Sequence, residues 1–181
     1  LVLDSMEKTL SFCNIIHQTG DNSVYGDYEK LVNRYEKAKA EPTISSKTNV
    51  KGKYYARKFI LENEIGEAYS KANLVISRCG AHTIAELLAL EKPSLLIPIP
   101  WVSHNEQNEN ARILKGAGLS EIIEEKDLLK IDFSKYIEQM LIDINKYKLN
   151  DLSIRKLIKQ DAVEIICNEV LELFKDQGST R

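Results

Sequence analysis

The chain has three cysteines, three histidines and no long apolar run, and each shortage closes off a class of protein. Cys13, Cys79 and Cys167 are far apart and odd in number. No disulfide framework or CxxC redox pair can be read from them, which fits a reducing compartment. His17, His82 and His104 show no metal-ligand spacing such as HExxH, so neither a metal nor a cofactor is expected. No stretch approaches the ~20 apolar residues that cross a bilayer. The opening LVLDSMEKTL mixes acid and base among its apolar positions, so no signal peptide is expected. The 25 Lys and Arg against 27 Asp and Glu leave a net charge of −2, without the basic excess of a dedicated nucleic-acid binder. Internal repeats and low-complexity linkers are absent as well.

What is present is ordinary for a globular domain. The 181 residues are 43% apolar and 29% charged. A chain of this length reads as one domain able to bury roughly 70% of its unfolded surface. We expect that domain over 1–175, with a disordered tail at 176–181. The chain opens with Leu1 inside a helical pattern, which suggests a piece of something longer.

Apolar residues recur at helical spacing over 1–11, 24–39, 65–71, 81–90 and 106–117, and again from Asp127 to the end. Short, nearly continuous apolar runs at 12–17, 54–59, 73–77, 94–98 and 121–123 read as strands. Gly118 is a good residue to stop the helix at 106–117. The stretch Lys47–Lys58 holds five cations and no acid, and its first part reads as a mobile surface loop. Strands of this kind alternating with helices predict an α/β fold, a parallel sheet covered on both faces.

Ligands of open α/β sheets bind beyond the carboxyl ends of the strands. After the strand at 73–77 comes Ser77-Arg78-Cys79-Gly80-Ala81-His82-Thr83. Gly80 would let backbone approach a ligand, and the helix start that follows is suited to an anion such as phosphate. The plainer alternative is a βα turn capped by Ser77 or Thr83. Glu86, early on the same helix, could accept from the vicinal hydroxyls of a ribose, or simply pair with His82 four residues before it. After the strand at 94–98, Gln107 and Asn110 lie one helical turn apart. Side-chain amides donate and accept at once, as sugar recognition requires. The alternative is a solvated helix start capped by Asn105, with Glu109 answering the dipole. His104 has no partner at a suitable spacing.

The run FILENEIGEAYSKANLVISRCGAHTIAELLALEKPSLLIPIPWVSHNEQNENARILKGAGLSEIIEE resembles the C-terminal domain of glycosyltransferase family 28. Within it the likeness is to the bacterial MurG family, which adds N-acetylglucosamine to the undecaprenyl-linked muramyl-pentapeptide of peptidoglycan. The combination of SRxGAxTxxE, xKPxLLIPxP and HxxQxxNA carries the resemblance, and IIHQTG at 15–20 adds to it. It implies a Rossmann-like fold, the donor-binding half of a GT-B glycosyltransferase at the cytoplasmic face of the plasma membrane. By motif, the backbone at Phe59 and Ile60 would meet the uracil of UDP-GlcNAc. Gly80, Ala81 and Thr83 would hold the diphosphate, and Glu86 the ribose. Gln107 with Glu106 would read the sugar, and Asn110 would support that turn.

Departures from the family pattern matter. The family's first strand and its glycine-rich phosphate loop have no counterpart here. Nor does the N-terminal half, which binds the lipid-linked acceptor and supplies the proposed catalytic base. No catalytic residue is therefore assigned, and the chain alone is expected to be inactive. Cys79 stands where Ala or Ser is usual, and Glu91 where Gly is usual. A donor-binding subunit of a split enzyme, a non-catalytic remnant and a sugar-nucleotide epimerase are competing readings. With strand order 3-2-1-4-5-6, the strand without a counterpart would lie between those at 13–17 and 73–77. Family geometry then implies an open slot about 9–10 Å wide, and the alternative is direct pairing of these two strands.

Overall fold

The computed structural model describes residues 1–22, 24–40, 51–101, 105–150, 154 and 161–178. In chain order the elements are α1 (Val2–Thr9), β1 (Ile15–Gln18), α2 (Asp27–Ala40), β2 (Tyr54–Arg57), α3 (Glu62–Lys71), β3 (Val75–Ser77), α4 (Ala81–Ala89), β4 (Ser94–Leu96), α5 (Glu106–Gly116), β5 (Ser120–Ile122), α6 (Phe133–Ile142) and α7 (Ala162–Gly178). The helix expected without interruption from Asp127 is broken. A 3-10 turn covers Glu125–Lys130, Asp132 caps α6 by accepting from Lys135 N–H at 3.2 Å, and residues 147–150 are irregular. α7 runs to Gly178, three residues into the expected tail. Most of the expected mobile loop, like His104, lies outside the described residues.

Among the described residues all strand pairs are parallel, but they form two sheets: β1–β2, and β3–β4–β5. β4 is central in the larger sheet. Its successive residues face opposite ways, so Leu95 and Leu96 enter different clusters, and both are fully buried. Leu96 packs with Ile84, Leu87 and Leu88 of α4 and Leu114 of α5; Leu95 packs with Phe133, Ile137 and Met140 of α6. The larger sheet is thus covered on both faces, as its continuous apolar strands predict. The smaller sheet has its own core of Met6, Leu10, Leu31, Tyr54 and Ala56.

Turn chemistry explains the helix ends. Past α5, Gly118 sits at φ +82, and Leu119 N–H returns to Leu114 O at 3.1 Å. A side chain at Gly118 would also meet Lys148 O at 2.8 Å. Past α4 the same left-handed position falls on Glu91, at φ 49, with Lys92 N–H bonded to Leu87 O at 2.9 Å. That is why glycine suits this position, and why Glu91 carries some backbone strain.

Among the described residues β1 and β3 do not pair, so the open slot is the outcome and closure is not. A cavity of about 1280 Å³ lies there, lined by Ile16 and Gln18 of β1 and Ile76 of β3, among others. In a parallel ladder alternate residues bond to the same neighbour. Ile15 N–H goes to Lys53 O at 2.9 Å and Val75 N–H to Pro93 O at 3.0 Å. Ile16, Gln18 and Ile76 therefore direct their backbone groups into the gap, and Ile16 and Ile76 are 44% and 39% exposed. α1 spans the gap from the small core to α6. Thr9 Oγ1 and Ser134 Oγ share a buried hydrogen bond of 2.7 Å, Ser134 donates to Ser5 O at 3.0 Å, and Lys8 pairs with Asp132 at 3.2 Å.

Hydrogen exchange reads these edges directly. The amides of Ile16, Gln18 and Ile76 should exchange faster than those of Ile15, His17 and Val75 by roughly tenfold or more. Equal protection across all six would mean that the two sheets pair in solution.

Candidate functional site

β3 and β4 are parallel neighbours, so the loops after them leave the same edge of the sheet. The turn after β3 is held by α5, the helix that follows β4. Gln107 Oε1 accepts two backbone bonds, from Cys79 N–H at 3.2 Å and Ile99 N–H at 3.0 Å. Asn110 Nδ2 donates to Cys79 O at 3.0 Å, with Glu106 Oε1 a further 3.5 Å contact. Cys79 is clasped at both its backbone polar groups. Its side chain is fully buried among Ile84, Leu87 and Ala111, a place for a small apolar group. Burial pushes its thiol up to about 11, against the opposing cation of Arg78.

This clasp presents the start of α4. Gly80 is the N-cap, at φ −64 and ψ 149, and no side chain caps the helix. Neither Ser77 nor Thr83 takes the capping role considered from the sequence. The first intrahelical bond is Ile84 N–H to Gly80 O at 3.0 Å, so the amides of Ala81, His82 and Thr83 precede the hydrogen-bond ladder. Gly80 has ordinary dihedrals, and a Cβ there would meet nothing within 4 Å. The fold itself does not demand glycine at this point.

Glu86 lies on the exposed side of α4. Its partner is Tyr69 of α3, whose hydroxyl donates to Glu86 Oε2 at 2.9 Å; the alternative pairing with His82 is not formed. Burial first, and then the bond to Glu86, push the Tyr69 hydroxyl up to about 12, so it stays a donor across the working pH range. Phe59 and Ile60 lie between β2 and α3, with Phe59 52% exposed. Ile60 N–H donates to Gln18 Oε1 at 2.8 Å. Asn105 heads α5 in the left-handed region at φ 58 without a side-chain cap, and its Oδ1 accepts from Asn108 at 2.5 Å. Glu109 pairs with Arg112.

The residues singled out thus fall into three linked groups. Glu106, Gln107 and Asn110 meet at the β3–α4 turn, beside Gly80, Ala81 and Thr83. Glu86 is tied to α3, and Phe59–Ile60 to the end of β1. Sequence reasoning missed three of the residues that organise them. Tyr69 reads only as an inward aromatic. Gln18 sits in IIHQTG without a visible task. Arg78, quoted within SRxGA, donates to Ile97 O at 3.2 Å and pairs with Glu125 at 3.0 Å, tying the turn to the chain just after β4 and after β5.

The double acceptor at Gln107 has a measurable consequence. Gln107→Leu leaves two part-buried N–H groups unpaired and should cost about 1–3 kcal/mol in urea unfolding. Gln107→Glu keeps an acceptor oxygen and should cost less. Equal stability of the leucine variant and the parent would remove the clasp from the account.

Comparison with known proteins agrees with this architecture. The model of the glycosyltransferase family 28 C-terminal domain matches residues 2–164. The UDP-N-acetylglucosamine–N-acetylmuramyl-(pentapeptide) pyrophosphoryl-undecaprenol N-acetylglucosamine transferase of Lawsonia intracellularis is 32% identical over 175 residues, covering 96% of this chain and 44% of that protein. The like-named protein of Thermodesulfovibrio yellowstonii is 39% identical over 127 residues, covering 70% and 30%. The crystal structure of Acinetobacter baumannii MurG overlays 94% of this chain on 46% of its own, with a TM-score of 0.66 at 18% identity, a likeness of fold. The chain spans less than half the length of these relatives. On the family match and these identities, the chain belongs to the glycosyltransferase family 28 C-terminal domain family.

Proposed function

We propose that this chain binds the nucleotide-sugar donor of a glycosyltransferase that moves GlcNAc from UDP-GlcNAc to a lipid-linked muramyl-pentapeptide. The observation that carries the reading is the uncapped start of α4, clasped through Cys79 by Gln107 and Asn110. Amide donors at Ala81, His82 and Thr83 and the positive helix end suit a diphosphate. The unneeded glycine at position 80 leaves room for a ligand to come close to the backbone.

Each further residue has a part. Glu86 keeps an oxygen free of Tyr69 for the ribose hydroxyls. Gln107 has spent its oxygen on backbone, so it meets the sugar through the Nε2 donors, and Glu106 offers a carboxylate acceptor beside it. Asn110 supports the turn. At the base end, a uracil carbonyl would take the place of Gln18 Oε1 on Ile60 N–H, exchanging one acceptor for another. The names of the relatives supply the sugar, GlcNAc, and a pyrophosphoryl-undecaprenol acceptor. Such an acceptor would bring the enzyme to a membrane surface. Among the described residues no helix is long and apolar enough to cross a membrane.

Calorimetry with UDP-GlcNAc tests the reading. Glu86→Ala should weaken binding roughly ten- to hundredfold, the worth of a charge-assisted hydrogen bond of about 1.5–3 kcal/mol. A variant that binds as well as the parent removes Glu86 from the site, and a parent that does not bind refutes the proposal.

A further inference from the structure

Glu86 occupies an exposed face of α4, where a carboxylate on three rotatable bonds would ordinarily sample several rotamers. Recognition of a vicinal diol needs one orientation, with both hydroxyls donating to a fixed carboxylate. The chain contains a device suited to fixing it. The ring of Tyr69 packs against the cluster formed by Cys79, Ile84 and Leu88 with β4 and α5, so its position is set by the core beneath the site. Its hydroxyl donates to Glu86 Oε2 at 2.9 Å across the α3–α4 boundary. One oxygen of the carboxylate is thereby held by the protein, and the other is left to a ligand.

We propose that Tyr69 is a positioning residue for ribose recognition, holding the Glu86 carboxylate in the orientation that accepts a vicinal diol. This rests on the donor-site reading above. It adds a residue of α3, which touches neither phosphate nor sugar in that reading, to the determinants of nucleoside specificity. A hydrogen bond that merely joins α3 to α4 would serve stability alone, and the two roles differ in what they do to ligands with and without ribose hydroxyls.

The test measures calorimetric affinities of UDP and 2′,3′-dideoxy-UDP for the parent chain, Tyr69→Phe and Glu86→Gln. Phenylalanine keeps the packed ring and deletes one oxygen, so the circular dichroism should match the parent. Tyr69→Phe should weaken UDP by about three- to tenfold and leave the dideoxy ligand unchanged, since only the former meets the oriented carboxylate. Glu86→Gln should lose most of the preference for UDP over its dideoxy analogue. Equal weakening of both ligands by Tyr69→Phe assigns the bond to the fold and overturns the proposal, as does no weakening of either. If the parent binds both ligands equally, or Glu86→Gln binds UDP like the parent, the donor-site reading itself falls.

Discussion

One side-chain oxygen holds the site together. Gln107 Oε1 accepts from Cys79 N–H and Ile99 N–H, and so ties the ends of β3 and β4 to a single point on α5. Asn110, one helical turn on, takes the Cys79 carbonyl. The residue before Gly80 therefore has both its backbone polar groups bound by α5, and the start of α4 is aimed by those bonds. In a part-buried setting an unpaired N–H costs about 1–3 kcal/mol, so the arrangement is strongly preferred over one that frees the turn.

The same accounting of backbone groups comes out differently where the two sheets face each other. β4 is paired on both edges, whereas β1 and β3 are each paired on one edge only and turn the backbone groups of the other toward a large cavity. The two sheets are joined across it by side chains. α1 lays Met6 and Leu10 into the small core and meets α6 through the Thr9–Ser134 hydrogen bond. The β1–β2 ladder, which sets Gln18 opposite Arg57, places the end of β1 near the chain at Ile60, so the edge of the slot adjoins the base end of the proposed site.

Much of this was legible in the sequence, and the failures have physical causes. α4 was placed within one residue because its apolar spacing is strong and Lys92-Pro93 follows it. The strands at 73–77 and 94–98 proved shorter, because apolar flanks such as Leu74 and Ile97 pack in the core without lying within the paired strands. α3 begins at Glu62 rather than Ile65, since its first turn is acidic and carries no apolar period. The slot was one of two outcomes that strand order and the family resemblance left open, direct pairing of the two strands being the other. The pairing of Tyr69 with Glu86 did not, because the two are seventeen residues apart on different helices and no periodicity links them. The double task of Gln107 was equally hidden: its position after a strand marked it, but which of its atoms faces backbone is a matter of three-dimensional packing.

The central claim is that a nucleoside diphosphate sits at the clasped start of α4. Backbone chemical-shift mapping of the isotopically labelled chain during titration with UDP tests it most directly. The account predicts the largest shifts at the amides of Gly80 to Thr83, with accompanying changes at Ile60, Glu86 and Gln107. Shifts confined to the cavity between β1 and β3, or to the cleft lined by Gly20, Asp27, Glu29 and Lys58, with Gly80 to Thr83 unmoved, would contradict it.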